Sequence, residues 1–130
     1  MIELNTRKQV EVIDITSSIE QVVKESGIEE GICLIYTPHT TTGIMVNEAE
    51  SGLIQDITRL MASLVPQGVG YLHDRNDGNA HAHLQAVLLG NSTVIPVEGK
   101  RPNLGTWQKI LFAELDGPRQ RRVYIKLIKE

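Results

Sequence analysis

Residues 121–128, RRVYIKLI, alternate strictly, with Val123, Ile125 and Leu127 on one side and their neighbours on the other. A period of two fits a pleated strand with one buried face and no helix, so the chain must also supply partner strands. Candidates are plain. QVEVI at 9–13 (with a short strand before it at Ile2–Leu4), GIMVN at 43–47, STVIPV at 92–97 and KILFAELD at 109–116 are β-branched or apolar runs bounded by turn residues. GICLIYT at 31–37 is apolar almost throughout, the pattern of a central strand buried on both faces. Glu98-Gly99-Lys100 and Asp116-Gly117-Pro118 read as turns, the second joining the last two strands into an antiparallel hairpin.

Three helices interrupt these strands. Ser17 and Glu20 have capping-box spacing and open a helix through Ile19, Val22 and Val23 that stops at Gly27. Leu53, Ile54, Ile57, Leu60, Met61 and Leu64 recur at helical spacing over 51–64 and predict an amphipathic helix with a core-facing stripe, ended by Pro66. Asn79 is a good N-cap for a third, with Leu84, Val87 and Leu88 as its apolar face and Gly90 as its stop. The expected fold is a single α+β domain over residues 1–130, with a mixed or largely antiparallel sheet.

Composition narrows the function classes. A net charge of −3 argues against a nucleic-acid binder, which needs a surplus of Lys and Arg. Cys33 is alone, so there is no disulfide framework, and inside an apolar strand it reads as a small hydrophobe. No apolar run approaches a membrane span and the N-terminus does not resemble a signal peptide, so a cytoplasmic protein is expected.

Chemistry concentrates in residues 71–90, YLHDRNDGNAHAHLQAVLLG, which hold three of the four histidines. A polar loop feeding a helix N-terminus sets backbone donors beside titratable groups, the setting of anion and metal sites. On a helix His81 and His83 stand about 200° apart and cannot chelate one ion together, so one reaches a pocket and the other faces solvent. A metal site would then need His39, which follows Pro38 among four threonines, and His73. On residue types alone, solvated or hydrogen-bonded histidines are the simpler reading. Phosphate is the other candidate ligand, with Lys100, Arg101, Arg119, Arg121 and Arg122 near two turns, although basic residues on turns are commonly just solvated. Asp74 and Asp77 read as a general base, as a support to His73, or as turn formers.

The run STVIPVEGKRPNLGTWQKI at 92–110 resembles the signature of the YjbQ-like family, also known as the secondary thiamine-phosphate synthase family. HTTTGIMVNE at 39–48, LVP at 64–66, YLHD at 71–74, AHLQAVLLG at 82–90 and ELDGPRQRRV at 114–123 follow in the family's order. The resemblance implies a compact α+β domain that assembles as a homotrimer. It implies a histidine trio of His39, His73 and His83, holding a divalent metal such as zinc, with His83 favoured over His81 because Ala82-His83 matches a recurring pair. Asn47, Glu48, Thr106, Gln108, Glu114 and Arg119 also match motif positions. Of these, Glu48 and Arg119 join Asp74 as catalytic candidates, and Asn47, Thr106 and Gln108 are candidates for holding a ligand. Two departures are the short, Asp-rich loop at 74–79 and the extra histidine in DGNAHAH.

The activity so implied is a weak thiamine-phosphate synthase, joining a hydroxymethylpyrimidine diphosphate to a thiazole phosphate with loss of pyrophosphate. That reaction asks for a diphosphate site, a neutralising cation and support for a carbocation. With one Trp, one Phe and three Tyr, and Trp107 expected in the core, the chain offers little aromatic lining for the last. The synthase reaction is therefore expected to be secondary to metal-assisted chemistry on another phosphorylated small molecule. A non-enzymatic trimeric module holding such a metabolite is the alternative.

Overall fold

The computed structural model describes residues 1–130, which form eight strands, three α-helices and one 3₁₀ turn. In chain order these are β1 (Ile2–Asn5), β2 (Glu11–Asp14), α1 (Thr16–Ser26), β3 (Glu30–Tyr36), β4 (Thr42–Asn47) and α2 (Ser51–Leu64). The 3₁₀ turn at Leu72–Arg75 precedes α3 (Ala80–Leu89), β5 (Ser92–Glu98), β6 (Arg101–Pro102), β7 (Lys109–Glu114) and β8 (Gln120–Lys129). The fold is α+β as expected, and every strand pairing is antiparallel.

The strands divide into two sheets, β1-β8-β3-β5-β6 and β2-β7-β4. The last two strands are therefore not a hairpin. β8 pairs with β1 and β3, β7 with β2 and β4, and the Asp-Gly-Pro turn carries the chain from one sheet to the other. Strict alternation made β8 a strand but could not name its neighbours. Gly99 and Lys100, at φ 59° and 65°, make the tight β5–β6 turn.

Cys33, Ile35, Ile95 and Val123 from the first sheet meet Ile44, Ile110 and Phe112 from the second, with Ile15, Ile19 and Val23 from α1 and the segment leading into it. Burial raises the Cys33 thiol to about 11, so it stays protonated and acts as a hydrophobe. β3 is central in its sheet, yet only one of its faces is covered. Ile32 and Tyr36 remain 39% exposed on the outer face, opposite Ile128 and Tyr124. No helix packs there.

The helix starts differ from expectation. Asp14, not a Ser17–Glu20 box, caps α1, its Oδ1 accepting from the N–H and hydroxyl of Thr16. Glu50 caps α2 by accepting from Gly52 N and Leu53 N. α3 lies on the second sheet through Ala82 and Ala86, against Ala113 and Leu115. A Cβ at Gly43 would stand 2.8 Å from Leu89 Cβ, so glycine lets α3 close on β4. That docking turns the expected apolar face outward: Leu84, Val87 and Leu88 are 42%, 77% and 59% exposed. Short alanines permit a closer approach to the sheet than leucines would. α2 has no fully buried residue, so its stripe is less a core face than expected. Trp107, expected inside, is 71% exposed.

Candidate functional site

The segment before β4 explains the threonine run. Thr37 and Thr42 hydroxyls lie 2.7 Å apart, Leu115 N donates to Thr41 O, and Thr41 Oγ1 accepts from Arg121. These bonds fix residues 37–42 as a loop with His39 at its bend. His39 Nε2 accepts from the Arg122 backbone N–H at 2.9 Å. That N–H can only donate, so Nε2 keeps its lone pair and the neutral ring carries its proton on Nδ1. Burial, then the Arg121 and Arg122 charges, lower the His39 pKa against an opposing pull from Glu114.

Beneath this loop lies a buried ion pair. Arg121 donates to both Glu114 oxygens, at 2.8 and 2.6 Å, with the side chains 5% and 0% exposed. Thr6 Oγ1 donates to Glu114 Oε1 and Asp116 N to Oε2. Burial pushes the Glu114 carboxyl up, but Arg121, Thr6 and the Asp116 N–H outweigh it and hold it below its usual range. Every acceptor of a buried charge has a donor, as a dry site requires.

The 71–90 stretch supplies the opposite wall. Asp74 Oδ1 accepts from Ala80 N and so starts α3, which leaves Asn79 free of capping. Asn79 bridges instead, its Nδ2 donating to Asp116 Oδ2 and its Oδ1 lying 3.0 Å from His73 Nε2. Arg119 donates to the same Oδ2 of Asp116 at 3.1 Å and to the Asp116 backbone carbonyl at 2.8 Å. The chain His73–Asn79–Asp116–Arg119 thus joins two loops. The His73 and His83 rings meet edge to face, 4.7 Å between centroids.

These pieces enclose a cleft of about 410 Å³ lined only by non-hydrophobic residues, His39, His83, Asp77, Asn79, Arg119 and Arg121 among them. A second cleft, about 550 Å³, adjoins it across His39 and His83 and runs along Thr42, Val87 and Asn91. Of the nine positions singled out in the sequence, His39, His83 and Arg119 line this site and His73 touches His83. Asp74 is held at the α3 start.

The others lie elsewhere. β4 and β7 pair from Thr42↔Glu114 to Asn47↔Lys109, so Asn47 lies at the far end, five steps or roughly 17 Å away, and Glu48 just past it. Thr106 and Gln108 line a separate groove with Lys109 at that same end. The sequence reads Asn79 as a cap, Asp116 as a turn residue, Glu114 as a motif match and Arg121 as one of the basic residues near turns. It does not reveal that Asn79 and Asp116 bridge His73 to Arg119, or that Glu114 and Arg121 pair beneath the site. Asn and Asp at turns and an Arg seven residues from a Glu are explained equally well by turn chemistry and surface charge.

The donor set admits a metal only in part. His73 and His83 are adjacent, but Nε2 of His39 is engaged and its Nδ1 carries the proton, so His39 does not fit as a ligand in this arrangement. No three His, Cys, Asp or Glu side chains share a common ligand position. No helix is long and apolar enough to cross a membrane.

The family model described as "UPF0047 protein YjbQ-like" matches residues 1–130. The chain belongs to the YjbQ-like UPF0047 family. A UPF0047 protein of Archaeoglobus fulgidus is 56% identical over 125 residues, 96% of this chain and 97% of that protein. The Bacillus subtilis UPF0047 protein YugU is 42% identical over 131 residues, covering 98% of this chain and 96% of its own. A protein of unknown function from Sulfolobus solfataricus, described as "YbjQ-like", superposes with a TM-score of 0.97 at 42% identity, over 99% of this chain and 94% of that one. A hypothetical protein from Aeropyrum pernix gives 0.96 at 42%, over 99% and 96%.

Proposed function

We propose that the cleft between the 37–42 loop and α3 binds a phosphorylated small molecule and acts on it by proton transfer, with His39 and His83 as the groups able to move the proton. The observation that carries this is the shared lining: two imidazoles and two guanidiniums converge on one polar space of about 410 Å³. Arg119 is half-exposed and can turn a donor toward an anion, whereas Arg121 is held from behind by Glu114. His39 offers its Nδ1–H to a phosphate or leaving-group oxygen. A low-level thiamine-phosphate synthase activity would be a side reaction of such a site, because its lining holds no aromatic ring beyond the histidines.

The second reading adds a divalent ion, zinc being the first to test, held by His73 and His83. Their 4.7 Å contact favours it, as does the charge of the lining, where Asp77 and Asp116 balance the two arginines. A dianionic substrate there would need a counter-charge. For the assembly we propose a homotrimer, supported by the uncovered outer face of β3, β5 and β8 with Ile32, Val94 and Ile128 exposed. Light scattering checks it.

The test is a phosphoester panel run with elemental analysis on wild type beside His83→Ala. Turnover by wild type, reduced at least a hundredfold in the folded variant, is expected for acid–base work. Ligand-induced stabilisation without turnover would replace the enzyme with a binding module. One ion per wild-type chain, lost in the variant, would favour the metal reading.

A further inference from the structure

A third cavity lies apart from the cleft, beneath α2, and shares none of its lining residues. It measures about 190 Å³ and is walled by apolar side chains, including Val12, Met45, Ile57, Met61 and Leu89. No Asp, Glu, Lys or Arg lines it. The polar exceptions include His81 and Gln85, 7% and 5% exposed. Gln85 spends its Nε2 on the Met61 and Val65 carbonyls at the end of α2, at 3.3 and 3.0 Å, so its oxygen is its free group. His81 Nδ1 is shut off from water and has no hydrogen-bond partner, the one such side-chain atom in the molecule. Buried polar atoms are nearly always paired, and an orphan at a cavity wall calls for an unseen partner.

We propose that this cavity is a binding site for an uncharged aromatic molecule of one ring carrying a single hydrogen-bond donor, which His81 accepts. An engineered apolar cavity of about 150 Å³ holds benzene, so this volume takes one ring with a small substituent. Met45 and Met61 offer polarisable sulfur to a ring edge. The absence of a charged partner excludes ions, which would lose hydration without compensation. Gln85 Oε1 and the His81 ring are acceptors, given a proton on His81 Nε2, and they select a donor such as a hydroxyl.

Phenol and benzene are the probes, titrated into the full chain by calorimetry, with the Met45 and Met61 methyl resonances reporting the location. Both are expected to bind, phenol more tightly. His81→Leu should weaken phenol roughly tenfold, the worth of one hydrogen bond, and leave benzene unchanged. Ala62→Trp, at an exposed position on the cavity rim, should abolish both without disturbing the core. Failure of both probes to bind wild type would overturn the proposal, and so would phenol binding that His81→Leu leaves intact or that shifts neither methionine methyl.

Discussion

The floor of the polar cleft and the space beneath α2 flank the same helix, and they are built on opposite principles. On the cleft side, Glu114, Arg121, Thr6 and Thr41 form a closed set of directional bonds at 2.6–2.8 Å, with both charges nearly inaccessible. Beneath α2, walls of Ile, Leu, Val and Met leave about 190 Å³ unfilled and one imidazole nitrogen unpaired. Directional bonds fix a geometry that packing alone does not, because dispersion contacts are individually weak and tolerate displacement. A rigid site that aims a proton donor is therefore expected on the first side, and an adaptable one on the second.

The largest test of that contrast is Glu114→Ala, which strands the Arg121 charge at 4% exposure. A loss of about 3–5 kcal/mol in urea unfolding is expected. A loss under about 1 kcal/mol would mean that Arg121 reaches water and the floor is not rigid. Next is Ala82→Leu, where α3 seats on the sheet with no exposed surface. Overpacking should destabilise by about 1–3 kcal/mol and lift α3 from both sites together. Chemical shifts moving on the His83 side alone would break the idea that one helix governs both.

The smallest effect is a pH limb. His39 has a folded pKa below the usual 6.5, so on acidification the unfolded chain takes up its proton first. Stability should fall as the pH drops through about 6.5 and on toward the lower folded value. A second loss from Glu114 should follow below its ordinary 4.5, as pH falls through its depressed folded value. In His39→Gln, whose carbonyl can accept from Arg122 N in place of Nε2, the first limb should vanish in melts from pH 7 to 5. Its persistence would move the effect to another group.

Much of the fold was legible because local periodicity carries it. Strand alternation at β8, the helix at 51–64 and the Gly27 stop appear where the sequence put them. Partnerships were not legible: β7 and β8 are adjacent in sequence and turn-linked, yet belong to different sheets, because pairing depends on which faces must be buried together. His39, His73 and His83 were visible as residue types, and their neighbourhood follows from docking α3 beside the 37–42 loop. Asn79 stands at the N-cap position as read, but its side chain makes no capping bond, because Asp74, five residues earlier in the chain, accepts from Ala80 N instead.

The histidines of α3 draw the line between the two levels. Helical spacing dictated that His81 and His83 leave the axis about 200° apart and so serve different surroundings. It did not dictate which surroundings. The apolar stripe of Leu84, Val87 and Leu88 pointed to the wrong face, and with it to a solvent-facing histidine that does not occur, since His81 is buried. Tertiary structure chose the face of Ala82 and Ala86 because a glycine at 43 and small side chains let helix and sheet close to contact. Periodicity is a property of one segment, whereas the choice of face is settled by how well two surfaces fit.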